Sequence, residues 1–253
     1  MLKSLYKWMG PCALMVLLAA PARAQDAVSN NSDTGKELGL YLWLAGLDGS
    51  MGVGRVNDIP VDMSFSDLAR LVDFSMAGYF EYRQPKWIVG TDIFWVKLGA
   101  TRSAQIGNYA GDVDVNFNMD QYIGALGGAY RWKPNVDLWL TGRLYTMKPS
   151  VTFQGSSLIS GSKTWGDIYV GARYHYNFAE RWTAVARADI GAGGSDFAWF
   201  GNLGVGYRFN NTFTLGASYR VLSLDRETGE GKDFFKYDIT QDGLGVVFNF
   251  SLN

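Results

Sequence analysis

The sequence predicts an all-β chain: a transmembrane antiparallel up-and-down β-barrel of about ten strands, with eight or twelve as the alternatives. Three observations carry that prediction. Apolar and polar residues alternate with period two over long segments, the spacing of strands whose successive side chains point to opposite faces. Tyr and Trp gather at the ends of the apolar faces, where the interfacial girdles of a membrane barrel lie. Short connections bearing Pro or Asn alternate with longer ones, as periplasmic turns alternate with extracellular loops. A soluble sheet shares the alternation, but globular strands run to about 5–6 residues, and several segments here are two to three times as long.

The first stretch, MLKSLYKWMGPCALMVLLAAPARAQ, reads as a secretory signal. Lys3 and Lys7 supply a positive start, Ala13 to Ala20 a short apolar core, and Ala22-Arg23-Ala24 a small-residue cleavage site. Its apolar core falls well short of the about 20 residues a spanning helix needs. Residues 1–24 are therefore set apart. The polar segment 25–36, QDAVSNNSDTGK, reads as a flexible N-terminal tail, and 37–253 as the barrel. Loss of Lys3, Lys7 and Arg23 takes the formal net charge from −1 to −4. With no basic patch, nucleic acid is not an expected partner. The single cysteine, Cys12, lies in the signal, so neither disulfides nor thiol chemistry enter the reading of the barrel.

Strands are expected near 37–47, 74–83, 86–101, 112–132, 136–153, 165–178, 181–191, 197–209, 212–226 and 234–252. In the first, Leu38, Leu40, Leu42 and Leu44 share one face, and Gly39, Tyr41, Trp43 and Ala45 the other. The tight connections are Gln84–Lys86, Lys133–Asn135, Ala179–Glu180 and Asn210–Asn211, with Pro and Asn chemistry suited to turns. Two segments break the alternation. The polar face of Asp112, Asp114, Asn116, Asn118 and Asp120 gives way to Ala125, Gly127, Ala129 and Arg131 of opposite parity. Either a bulge at Asp120–Gln121 shifts the register, or the outer half stands above the bilayer. The same slip recurs at Gln241–Gly243. The longest connection, 48–73, has room for an extra hairpin, which would make the count twelve if it joined the wall. Within it SDLARLV has the makings of a short helix capped by Ser66, and Asn57–Leu68 reads as a self-packed loop or as a lid or lateral gate for a hydrophobic ligand.

The polar face lines a lumen. Its expected charge network comprises Glu81, Arg83, Asp92, Arg131, Arg143, Asp167, Arg173, His175, Arg187, Asp189, Arg208 and Arg220, joined by Asp120 if the bulge exists. A barrel of about eight strands is just filled by its side chains, so the interior expected of about ten is a packed ion-pair network rather than a wide channel. His175 is the one histidine, hence the one candidate base. Its strand descends towards the periplasm and places it near the lower end, away from outer-leaflet or extracellular substrates. It reads as a lumen histidine bonded to a carboxylate such as Asp189, and the chain as no enzyme. No histidine cluster suggests a metal, and no cofactor is expected.

The whole pattern resembles the small outer-membrane β-barrel superfamily of Gram-negative bacteria, the OmpA-type and OmpW-type barrels. Pro60–Phe74 (PVDMSFSDL…DF), Trp165–Tyr174 (WGDIYVGARY) and Asp189–Trp199 (DIGAGGSDFAW) resemble more narrowly a proteobacterial barrel family of unassigned function. The resemblance implies an outer-membrane location. Its implied partners are the surrounding lipid, lipopolysaccharide and the barrel-assembly machinery. Such barrels end in an aromatic residue that the machinery reads; Asn253 departs from this, leaving Phe250 as the nearest substitute. A structural or surface-interaction role leads. A narrow pore or conduit for small or hydrophobic molecules is the alternative, suggested by Gly127, Gly171, Gly204, Gly206 and Gly216 on the inner face. An outer-membrane lipid or peptide hydrolase comes third.

Overall fold

A computed structural model describes residues 34–54, 56–104, 113–153 and 156–252; the expected signal and most of the tail lie outside them. The elements in chain order are β1 (Gly35–Val53), β2 (Val56–Met63), α1 (Phe65–Ala69), β3 (Val72–Arg83), β4 (Trp87–Ala104), β5 (Val113–Lys133) and β6 (Val136–Phe153). Then come β7 (Ser156–Ser160), β8 (Lys163–Ala179), β9 (Trp182–Gly193), β10 (Phe197–Arg208), β11 (Phe213–Thr228) and β12 (Phe235–Leu252). Among the described residues, ten long strands pair antiparallel with their neighbours in sequence, and β12 closes on β1 from Lys36–Leu252 to Val53–Phe235. The count of ten holds. Strands β2 and β7 pair only with the upper parts of β1 and β6 and do not enter the wall.

Closure pairs the backbone between strands over most of the wall, as the bilayer favours where no water reaches; between β1 and β3 the ladder runs only from Gly35–Arg83 to Leu40–Gly78. The tight connections share one end with Gly35 and Leu252, the periplasmic end. One of them shows why its sequence turns: Asn210 Oδ1 accepts from the Thr212 and Phe213 amides at 2.9 and 2.8 Å, a side chain replacing a ladder partner. An arc of aromatics runs along this end from β8 to β12, through Phe178, Trp182, Tyr207, Phe209, Phe213 and Phe250, with ring centroids 4.9–6.1 Å apart. On the outer side Phe74, Trp95 and Tyr122 stack at 4.6 and 5.2 Å. Between these girdles the outer wall is apolar and open to lipid; Leu126, Leu140, Leu203 and Leu244 are all more than half exposed. An exposed apolar band flanked by two girdles is the surface of a membrane-spanning barrel. The chain is an outer-membrane β-barrel.

No bulge interrupts β5 or β12 where the alternation slips. Pairing of β5 with β4 runs unbroken from Ala104–Val113 to Trp87–Tyr130, and β12 runs unbroken against both neighbours. Met119, Gln121, Ile123 and Ala129 all face inward, so Asn118 and Asp120 lie on the outer face and Asp120 is no lumen residue. What changes is the medium. Above the girdle the strands stand in water, so outward residues are polar and inward ones apolar; below it both preferences invert. In β12 the same crossover puts Tyr237 and Ile239 inside and Asp238 outside above, with Leu244 outside, towards lipid, below.

The upper interior is therefore a packed apolar core. It holds Phe94, Leu98, Trp165, Leu224, Phe235, Tyr237 and Ile239 among others. The ladder between β1 and β3 stops above Leu40–Gly78. The segment after β2 crosses the upper end of that gap: the Leu71 carbonyl accepts from the Gly99 amide at 2.7 Å, and Leu68 of α1 is buried in the core. The helix starts one residue earlier than expected, capped by Ser64 and not Ser66. Asp67, three residues on, returns a bond to the Ser64 amide at 3.2 Å while Ser64 Oγ accepts from the Asp67 amide at 3.3 Å. Ser66 has Ala69 at the equivalent place and cannot close that reciprocal box. Gly49 adopts φ +138°, and a Cβ there would meet the Asp238 carbonyl oxygen at 2.1 Å, so β1 and β12 approach closely only because it is glycine.

Candidate functional site

Below the apolar core the inward side chains are charged, and they fall into three groups. The lowest joins β1, β3, β5, β6 and β8. Arg83 Nη2 lies 2.7 Å from Glu37 and 3.0 Å from Glu81. Arg173 bridges Glu81 at 2.5 Å and Asp137 at 3.0 Å. Asp137, fully buried, also has Arg131 at 3.5 Å and His175 Nε2 at 3.6 Å. Tyr79 and Asn249 donate to the other oxygen of Glu37. Each carboxylate is thus shared between several donors, as low-dielectric surroundings demand of buried charge.

In the second group Asp189 takes Arg187 at 2.9 Å and Arg143 at 3.3 Å, and Arg187 donates on to Thr141. In the third, Tyr41 donates to Asp92 at 2.9 Å, with Arg220 at 4.0 Å. Aromatic faces hold the guanidiniums in place. Arg173 and Arg187 lie over Trp139 at 4.9 and 4.5 Å, Arg143 over Tyr169 and Phe200 at 4.4 Å each, and Arg220 over Tyr41 at 4.3 Å. Planar, weakly hydrated guanidinium suits this combination of forked bonding and stacking, and lysine does not. Above them the Gln241 amide donates to Gln121 at 3.1 Å and to Tyr237 at 3.2 Å, a neutral polar layer below the apolar core.

Of the twelve expected residues, ten sit in these groups: Glu81, Arg83, Arg131, Arg173 and His175 in the first, Arg143, Arg187 and Asp189 in the second, and Asp92 and Arg220 in the third. Two do not. Asp167 accepts from the Ser195 amide and hydroxyl, both at 2.7 Å, and fixes the outer β9–β10 turn. Arg208 donates to the Glu180 carbonyl at the periplasmic rim. Asp189 is not the partner of His175: on β8–β9 His175 stands opposite Val185, whereas Asp189 stands opposite Gly171. Sequence reasoning missed Glu37 and Asp137. Both were marked by parity, since Asp137 shares a face with Arg143 and Glu37 with Tyr41.

Two of the inner-face glycines, Gly127 and Gly171, leave no open space. A Cβ on Gly171 would lie 2.1 Å from Asp189 Oδ1, and one on Gly127 2.6 Å from Thr141 Oγ1. Each admits a neighbour's side chain lying flat across it. Among the described residues no hydroxyl hydrogen-bonds to His175, and no three His, Cys, Asp or Glu side chains converge as a metal site would require.

No family model and no curated protein matches the chain. Among solved structures the chain is similar to several outer-membrane proteins. The attachment invasion locus protein Ail of Yersinia pestis, in complex with the heparin analogue sucrose octasulfate, is 13% identical, with 85% of this chain and 99% of that one covered and a TM-score of 0.34. The outer membrane protease OmpT from Escherichia coli is 7% identical, covering 87% and 96%, with a TM-score of 0.40. The Pseudomonas putida toluene transporter TodX is 11% identical, covering 86% and 89%, with a TM-score of 0.30.

Proposed function

We propose that this barrel is a sealed, non-enzymatic component of the outer membrane whose task lies on its outward surface, in binding or in stabilising the envelope. One observation carries the reading: the lumen is filled along its height, by arginine–carboxylate groups below, an amide layer between, and an apolar core above. Of the glycine positions that suggested a conduit, Gly127 and Gly171 are covered by Thr141 and Asp189. His175 lies among Asp137, Arg131 and Arg173 near the periplasmic end, a place where it holds a buried carboxylate; His175→Ala is expected to leave surface function intact.

The surface meets its lipid in a legible way. Lys97, Asp120 and Lys148 are cross-strand neighbours on the outer face, just above the Trp95–Tyr122 stack, with Lys148 Nζ 5.4 Å from the Tyr122 ring. Two lysines at that height suit lipopolysaccharide phosphates. The assembly machinery remains the expected partner during insertion. Purified, refolded barrel in a planar bilayer tests the central reading. A folded, electrically silent protein is expected; steady openings that change in Arg173→Ala would overturn it in favour of a lumen pathway.

A further inference from the structure

On another part of the wall, at the same boundary, lies a surface of opposite sign. Strands β1, β11 and β12 and residues 62–65 enclose a groove of about 420 Å³ on the lipid-facing side, within the range of small-ligand sites. Leu44, Leu244 and the ring of Tyr219 form its floor, and Met63 and Phe65 its wall. Gly46 lets the wall come close: a Cβ there would stand 3.0 Å from the Met63 carbonyl oxygen. Asp48, Asp62 and Asp242 line its upper part.

The order of these groups along the strands matters. Leu44 pairs with Leu244 in the apolar belt, Gly46 with Asp242 one step higher, and Asp48 with Asp62 one step higher again. The groove is thus apolar where acyl chains lie and anionic where headgroups lie. Asp48 and Asp62 are direct cross-strand partners, an arrangement that costs stability on its own. The nearby Lys236 is engaged by Asp58 at 2.6 Å. Among the described residues no cation pairs with Asp48, Asp62 or Asp242, and Tyr219 is the donor to Asp242. A phosphate headgroup is repelled here and an ammonium headgroup is drawn in.

We propose that this groove binds an amino-headed lipid of the surrounding leaflet. Its acyl chain runs along Leu44, Leu244 and Phe65, and its ammonium group sits at the Asp48–Asp62 pair. The proposal goes beyond the surface role above and does not depend on a sealed lumen, because a conducting barrel would leave the groove unchanged.

The test is photo-crosslinking in phosphatidylcholine vesicles with two probes of the same diazirine-bearing alkyl chain, one ending in ammonium and one in sulfate. The ammonium probe is expected to label peptides carrying residues 62–65 and 242–244 about tenfold more than the sulfate probe, the change for one charge-assisted contact. Asp48→Asn with Asp62→Asn should erase that preference while raising the barrel's own urea midpoint, a trade that a purely structural pair would not show. Phe65→Ala, on the exposed wall, provides a second variant that leaves the strands alone and should lower labelling by both probes. Equal labelling by the two probes, labelling spread evenly around the belt, or an unchanged preference in the double variant would overturn the proposal.

Discussion

The two halves of β5 and β12 use one backbone register to build opposite interiors. Within the membrane, Gly243 and Asn249 face the lumen and Leu244 and Phe248 face lipid. Above it, Tyr237 and Ile239 fill the inside and Asp238 meets water. The upper half is built like a soluble β-barrel and the lower half like its inverse. Alternation therefore reports two faces, and the solvent on each side decides which is polar. A parity switch without a bulge marks the height at which a strand leaves the bilayer, here between Asp120 and Gly124 on β5 and between Asp242 and Leu244 on β12.

The halves should respond differently to the same kind of damage. The largest effect is expected from Ile239→Asp, which buries a carboxylate with no partner in the apolar core; the loss should exceed about 4 kcal/mol. It should appear as protease cleavage of the outer half while the membrane half stays protected. Next comes Asp137→Ala, which removes the buried carboxylate shared by Arg131, Arg173 and His175 while Arg173 keeps Glu81, and should cost about 3–5 kcal/mol in urea titrations of the refolded barrel in vesicles. Leu224→Ala opens a cavity in the upper core, at about 2–4 kcal/mol by the same titration. In the lower half, a charge-retaining Arg173→Lys should still destabilise, because lysine replaces neither the forked contact to Asp137 nor the stacking on Trp139.

The smallest effects belong to the loops. Ser64→Ala removes the α1 cap at a cost of about 1 kcal/mol, read as faster amide exchange at Leu68. Acid should act through the same cap. Hydrogen bonds from the Ser64 hydroxyl and amide hold Asp67 below its ordinary 3.8, and the bond from Lys236 holds Asp58 below it too. Their folded values being depressed, these contacts support the fold above the unfolded value and are lost as pH falls through the folded one. Amide exchange in 56–71 should therefore quicken below about pH 4, and Ser64→Ala should blunt that response.

Strand existence, number and face were legible because period two survives in every segment long enough to cross. Height and partnering were not. Parity places Asp137 with Arg143, but only the stagger between β6 and β8 brings Asp137 to Arg173 and His175 and leaves Asp189 to Arg187. Asp167 shares the parity of the lumen charges, yet it stands high enough to hold the β9–β10 turn through Ser195. The inner glycines looked like space because a sequence shows no neighbour; Gly171 lies under Asp189. The groove at Asp48 and Asp62 was not legible for a further reason: a hairpin in the longest connection could be expected, but not the register that sets Asp48 opposite Asp62.

A nitroxide scan along β5 locates the height at which the outer face passes from lipid to water. Single cysteine labels at Asn118, Asp120, Gln121, Tyr122 and Leu126 would be read for collisions with oxygen and with a water-soluble nickel complex in vesicles. Nickel-dominated labels are expected at Asn118 and Asp120, oxygen-dominated labels at Leu126, a crossover at Tyr122, and an immobile, shielded label at Gln121. Oxygen dominance at Asn118 and Asp120, or a lipid-exposed Gln121, would contradict this expectation.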